Sequence, residues 1–300
     1  MNALACEKNC DICPMHAALT LRQAKARFEQ EAVRGVFDSI RYRCAYYSWG
    51  SGPPLVLLHG LSEDQRSFQW LSGFLAQDFR CIAYNLPTGK ADQARLAGST
   101  HAQLVEDLFA LLDHLGIRQS YLFGSSFGST IALAALRAQP ERIPRAVLQG
   151  GFAHRTLAPV ELTLALLARS WPGTMHWLPL RERLNRRFHI GAFTCPEAWE
   201  ELERVSGEAP IAAVAHRAVM MHRLDLRPIL PEIQQPVLLV CGDDDPLVGK
   251  ECEADLLKGL PNAGRVELPK CGHFPYFTHA EALADVVRHH FTPPGATRCS

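Results

Sequence analysis

Gly124-Ser125-Ser126-Phe127-Gly128 constrains this chain more than any other segment. The apolar stretch before it, Gln119 to Phe123, reads as a buried strand, and Ser129 to Leu136, small and apolar, reads as a helix. A Gly-x-Ser-x-Gly between a strand and a helix is the signature of a nucleophile elbow, a strained turn that exposes a serine hydroxyl above the strand end. Both glycines have a physical reason, because the strand and helix backbones pass too closely at such a turn for a Cβ on either side. With 14 serines and 21 glycines in 300 residues, chance supplies roughly 0.07 such pentapeptides. The match is therefore read as functional.

A serine centre of this type needs an acid and then a histidine farther along the chain. Val237 to Cys241 is a continuous apolar run after Pro236, the pattern of a buried parallel strand. It ends in Gly242-Asp243-Asp244-Asp245-Pro246-Leu247-Val248, and ligands of open α/β sheets bind just past such strand ends. Arg265 to Leu268 reads as a short strand leading into Cys271-Gly272-His273-Phe274-Pro275, a loop able to present an imidazole. Ala280 to Phe291 then resumes helical spacing.

Together with Leu55-Val56-Leu57-Leu58-His59-Gly60, a strand running into a loop, these motifs give the chain its family likeness. It resembles the α/β-hydrolase fold superfamily, in the broad single-domain type that includes small carboxylesterases, methyl-ester hydrolases and cofactor-free haloperoxidases. The likeness runs from Ile40 to the C-terminal helix. It implies an α/β fold: a mostly parallel central sheet flanked by helices, with a helical cap insertion. The implied organisation is a Cys-containing tail and helix over residues 1–35, a core over 36–151 and 231–300, and a cap over 152–230.

The resemblance also implies roles. Ser126 is the nucleophile, His273 the base that takes its proton and returns it to the leaving group, and Asp245 the carboxylate that orients the imidazole. Asp243 and Asp244 share the turn with Asp245, and family spacing favours the third residue after Gly242. Of the 13 histidines, His279, His289 and His290 lie near His273 in the chain, the last two inside a helical pattern. The oxyanion hole falls to the backbone N–H groups of Leu61 and Phe127. His59 and Gly60 join the substrate-binding set, His59 shaping the loop rather than acting as a base. No cofactor and no metal is implied.

Residues between the elbow half and the acid strand read as three helices, Leu157–Ala168, Pro196–Val205 and Ile211–Leu224. Trp171, Trp177 and Met220 are candidates for an apolar substrate pocket, against the plainer reading of packing on the body. The basic run Arg181, Arg183, Arg186 and Arg187 suits either a solvated helix face or an anionic partner such as a carrier-protein or coenzyme-A acyl group. After the strand Arg80–Tyr84 the chain departs from the family's usual glycine-rich loop and reads Asn85-Leu86-Pro87-Thr88-Gly89-Lys90.

Composition agrees. Three hundred residues, 47% of them hydrophobic, allow one large α/β domain with an insertion. Thirty-one basic and 31 acidic residues balance, which gives no footprint for nucleic acid or an anionic membrane. No apolar run reaches transmembrane length and no secretory leader is visible, so a cytoplasmic, reducing location is expected. Cys44, Cys81 and Cys241 then read as small buried hydrophobes. Cys6-x3-Cys10-x2-Cys13 has the spacing of a metal or cluster ligand set without the barrel such a cluster needs, and reads as a cysteine-rich tail.

The expected activity is a serine hydrolase acting on an ester-like bond of a small, largely apolar substrate through an acyl-enzyme. Carbon–carbon, thioester or lactone hydrolysis and perhydrolysis use the same scaffold. A non-catalytic binding protein would be expected to lack a triad member.

Overall fold

Leu55, Val56, Leu57 and Leu58 are all buried, yet consecutive residues enter different cores: Leu55 and Leu57 one, Val56 and Leu58 the other. Phe123 against Leu122, Val147 against Leu148, and Ala83 against Ile82 split in the same way. Successive strand side chains point to opposite faces. A run apolar at every position therefore demands a sheet covered on both sides.

The computed structural model describes residues 19–178 and 195–292. Its strands are β1 (Val33–Asp38), β2 (Arg43–Trp49), β3 (Pro54–Leu58), β4 (Arg80–Tyr84), β5 (Tyr121–Ser125), β6 (Ala146–Gln149), β7 (Val237–Gly242) and β8 (Ala263–Leu268). They form one sheet in the order β1-β2-β4-β3-β5-β6-β7-β8. The β1–β2 and β2–β4 pairs are antiparallel and all others parallel. Register aligns the ends that matter, with Leu58 opposite Gly124 and Ser125 opposite Gln149. The loops after β3, β5 and β6 thus leave the sheet at one edge.

Helices α1 (Leu21–Glu31), α2 (Gln69–Leu75), α9 (Pro275–Thr278) and α10 (Ala280–Phe291) cover one face. Helices α3 (His101–His114), α4 (Phe127–Ala138) and α8 (Lys250–Gly259) cover the other. Helix α1 starts with a capping box, Thr20 with Gln23, and buries Leu21, Ala24 and Phe28. Phe28 meets Tyr47 and Trp49 edge-on, at 4.9 and 5.6 Å between centroids. Ala32 turns to extended backbone and ends the helix, so β1 starts at Val33. Cys44 and Cys81 are buried, whereas Cys241 at the end of β7 is half-buried. Cys6, Cys10, Cys13 and the basic run from Arg181 to Arg187 lie outside the described residues. No helix among the described residues is long and apolar enough to cross a membrane.

The insertion between β6 and β7 carries α5 (Pro159–Ala168), α6 (Pro196–Glu208) and α7 (Ile211–Arg223), with α5 packed on α7. Lys25 of α1 reaches Glu201 of α6 at 2.8 Å. The firmer tie to the body is Arg217 of α7, 5% exposed. It donates to the carbonyls of Leu61 (2.8 Å), Leu86 (3.1 Å) and Pro87 (2.9 Å). Burial pulls its guanidinium down to about 10, still charged at neutral pH. Arginine suits the post because its planar fork reaches several acceptors at once.

Arg217→Met keeps apolar bulk but strips those three carbonyls of their donor, and should cost about 3 kcal/mol. Urea denaturation reads this as a lower midpoint at unchanged slope. A loss below about 1 kcal/mol would show that the insertion is held elsewhere.

Candidate active site

Ser126 stands between β5 and α4 at φ +50° and ψ −118°. A residue with a Cβ rarely adopts this backbone, at a cost of about 1–3 kcal/mol that the surroundings must supply. Gly124 and Gly128 show how. A methyl group on Gly124 would lie 2.8 Å from the Gly128 carbonyl oxygen, and one on Gly128 would lie 2.2 Å from that of Leu58. The first glycine lets strand meet helix, and the second lets the helix start press on the end of β3. Phe127 opens α4, where a backbone N–H has no acceptor within the helix.

His273 and Asp245 meet on loops at the same sheet edge. His273 Nδ1 lies 2.7 Å from Asp245 Oδ2, and both side chains are buried. The other carboxylate oxygen of Asp245 accepts from Leu247 N–H (2.8 Å) and Val248 N–H (3.1 Å). Burial alone would raise the Asp245 carboxyl, but the His273 ring and these amides outweigh it and hold it below the usual carboxylate range. The neutral imidazole therefore carries its proton on Nδ1 and keeps Nε2 as the basic nitrogen. The three neighbouring aspartates divide their work: Asp243 accepts from Cys271 N–H at 3.0 Å, Asp244 is exposed, and Asp245 faces the histidine.

Gln149 and Gly150 bring the serine and the histidine into one place. Ser126 N–H donates to Gln149 O at 2.9 Å. A methyl group on the next residue, Gly150, would lie 2.9 Å from His273 Cε1 and 3.3 Å from Asp245 Oδ2. Gly150 has φ +51°, so its lack of a side chain serves both backbone and imidazole.

On the other side stands the loop after β3. His59 is buried, donates from Nδ1 to Gly60 O at 2.9 Å and accepts Leu86 N–H on Nε2 at 3.1 Å. Burial, then the Arg217 charge, pushes it down to about 3. It is a neutral structural imidazole that ties Gly60 to the loop after β4. That loop, divergent in sequence, is ordered by Asp92, which accepts from the backbone of Thr88, Gly89 and Ala94. Leu61 is half-buried against the same apolar cluster as Met220. Trp171, just after α5, and Trp177, at the end of the 3-10 turn Met175–Trp177, are 56% and 68% exposed.

Four polar residues near Ser126 escaped sequence reasoning. Glu63, Tyr276, Ser125 and Gln149 are all buried. Tyr276 donates to Glu63, Ser125 donates to Gln149 Oε1 at 2.7 Å, and Gln149 Nε2 donates to His273 O at 3.0 Å. Only the proximity of Glu63 to the His59-Gly60 pair, and of Tyr276 to His273, could have drawn notice.

The model of the Alpha/beta hydrolase family matches residues 55–286, and the chain belongs to that family. It is 27% identical over 276 residues to the 2-hydroxy-6-oxononadienedioate/2-hydroxy-6-oxononatrienedioate hydrolase of Burkholderia vietnamiensis, covering 85% of this chain and 93% of that protein. It is 28% identical over 248 residues to the pimeloyl-[acyl-carrier protein] methyl ester esterase of Nitrosomonas europaea, covering 77% and 93%. Among solved structures, the enol-lactonase from Burkholderia xenovorans superposes with a TM-score of 0.77 at 22% identity, over 85% of this chain and 99% of that one, a likeness of fold.

Buried neutral histidines give a pH test. Burial pushes His101 down to about 4, and burial with the Arg145 charge does the same to His290. Below the unfolded value of about 6.5, the unfolded chain takes up these protons and the native chain does not. Stability then falls with pH, by up to about 1.4 kcal/mol per unit for each of His59, His101 and His290, until their folded values near 3–4 are reached. Glu63 and Asp107, both raised by burial, work in the opposite sense. The urea midpoint should drop between pH 7 and 5, because three histidines outnumber the two carboxyls, and a flat or rising profile would show that proton uptake by the native carboxyls matches or exceeds that of the unfolded histidines.

Proposed function

We propose that this α/β hydrolase is a serine hydrolase that cleaves an ester-like bond of a small, largely apolar substrate through an acyl-enzyme. One observation supports the reading: Ser126, on its left-handed turn, and His273, paired with Asp245, are both held by Gln149, and the His273–Asp245 pair packs on the side-chain-free Gly150 beside it.

The chemistry follows. Ser126 Oγ attacks the substrate carbonyl as His273 Nε2 takes its proton. Asp245 keeps the Nδ1 proton in place and stabilises the imidazolium. The N–H groups of Phe127 and Leu61 receive the oxyanion, each worth about 3 kcal/mol. His273 returns the proton to the leaving alcohol as the tetrahedral adduct collapses. Water then attacks the acyl-enzyme along the same route, releasing acid and free serine. In this reading the insertion is the cap, and α7 with Met220 supplies part of its substrate side. Free thiols at Cys44, Cys81, Cys195, Cys241, Cys252 and Cys271 fit a reducing, cytoplasmic setting.

A second reading, hydrolysis of a carbon–carbon bond by the same residues, is favoured by the name of the Burkholderia vietnamiensis relative. The Nitrosomonas europaea relative's name supports an ester, with a carrier-bound acyl group among the candidates.

A fluorophosphonate should label the wild type one-to-one by intact mass and leave Ser126→Ala unlabelled. The same variant should lose about 10⁴-fold or more in kcat/KM on p-nitrophenyl esters. A folded wild type that neither labels nor turns over esters overturns the proposal. Faster turnover of a 2-hydroxy-6-oxo-dienoate than of any ester would instead establish the second reading.

A further inference from the structure

We propose that Glu63 and Tyr276 are positioning residues of the serine centre, a buried carboxyl–phenol pair that joins the loop after β3 to the histidine loop. This rests on the serine-hydrolase reading above.

Glu63 is 4% exposed, and no lysine or arginine among the described residues forms an ion pair with it. Its two oxygens lie 2.7 and 2.9 Å from the Tyr276 hydroxyl, which donates to them. Oε2 also lies 3.3 Å from Gly60 N–H. A methyl group on Gly60 would be 2.8 Å from that oxygen and 3.5 Å from Ser126 Cβ. The carboxyl is therefore one residue's width from the nucleophile.

Burying a carboxyl without a cation is costly, and an apolar side chain would fill this space more cheaply. What the pair supplies is geometry. It fixes the His59–Gly60 peptide, while His59 fixes the Gly60 carbonyl, so two successive peptides are pinned, the second of which carries Leu61 N–H, the proposed oxyanion donor. On the far side the Tyr276 oxygen is 3.4 Å from Ser125 Oγ. Each hydroxyl has one proton: Tyr276 gives its own to Glu63, and Ser125 gives its own to Gln149. Gln149 holds both Ser126 N–H, through its backbone, and His273 O, through its amide. Tyr276 itself stands three residues beyond His273. The chain of contacts thus spans the segments that carry the nucleophile, the base and the proposed oxyanion donor, and touches no reacting atom.

The test compares wild type, Tyr276→Phe, Glu63→Gln, Glu63→Ala and the double variant Glu63→Ala/Tyr276→Phe. Each is checked for folding by circular dichroism and scored by fluorophosphonate labelling rate and ester kinetics. Tyr276→Phe should lower kcat and labelling rate roughly tenfold to a hundredfold, the effect of sub-ångström misplacement, with KM moving much less. Glu63→Gln should retain more activity than Glu63→Ala, because its amide oxygen still accepts from Tyr276. The double variant should be no slower than Glu63→Ala. If the folded Tyr276→Phe and Glu63→Gln proteins keep wild-type kcat and labelling rates, or only KM rises, the pair is mere packing and the proposal fails. If Tyr276→Phe does not fold, Ser125→Ala breaks the same chain at a smaller side chain, and wild-type labelling there overturns the proposal equally. A folded wild type that never labels sinks the serine reading itself, and the positioning role with it, a result distinct from wild-type labelling that survives in the variants.

Discussion

The approach of α4 to the end of β3 is the constraint on which the rest depends. Gly128 passes so near Leu58 and His59 that even a methyl group would strike backbone. Only because this gap is closed does the first turn of the helix press on the sheet edge, forcing Ser126 into its left-handed turn. The same closeness puts the loop after β3 beside the serine. Strain at one residue is thus set by packing along a whole helix, which buries Ile131, Leu133 and Leu136.

Loops at such an edge lack ladder partners, and buried backbone groups must find others. Here side chains provide them. Arg217 serves three carbonyls, His59 one carbonyl and one amide, and Asp245 two amides, while Gln149 takes the His273 carbonyl. Most of these are titratable residues held in a single charge state. The local structure that presents the chemistry is therefore expected to be the part most sensitive to acid.

Legibility in the sequence followed the range of the interaction. Runs such as Leu55–Leu58 announce a doubly covered sheet because every residue needs a core, and Gly124 and Gly128 announce the elbow because their reason is local. Gly242, Asp245 and His273 kept recognisable neighbours in the chain. Glu63 and Tyr276, 213 residues apart, offer no such pattern, and Arg217 lies 156 residues from the carbonyl of Leu61. A glutamate or arginine in a mixed segment reads as solvent-facing until the fold supplies its buried partner. The tryptophans mark another limit, since aromatic residues in an insertion suit a pocket and packing alike, and their spacing along the chain does not separate the two.

His59 illustrates how a residue beside a proposed nucleophile can matter without exchanging a proton. Its Nδ1–H bonds the Gly60 carbonyl, and that carbonyl belongs to the same peptide as Leu61 N–H, the proposed oxyanion donor. A hydrogen bond accepted at the oxygen of a peptide draws electron density from its nitrogen and strengthens the N–H as a donor. The direction holds only while Nε2 accepts from Leu86 N–H, which requires the neutral ring that burial and Arg217 enforce. Arg217 therefore does two things from within the insertion: it ties that insertion to the Leu61 loop, and its charge adds to the burial that keeps His59 neutral beside it. Docking of the insertion and the setting of the Leu61 peptide thus meet, on this geometry, at one guanidinium.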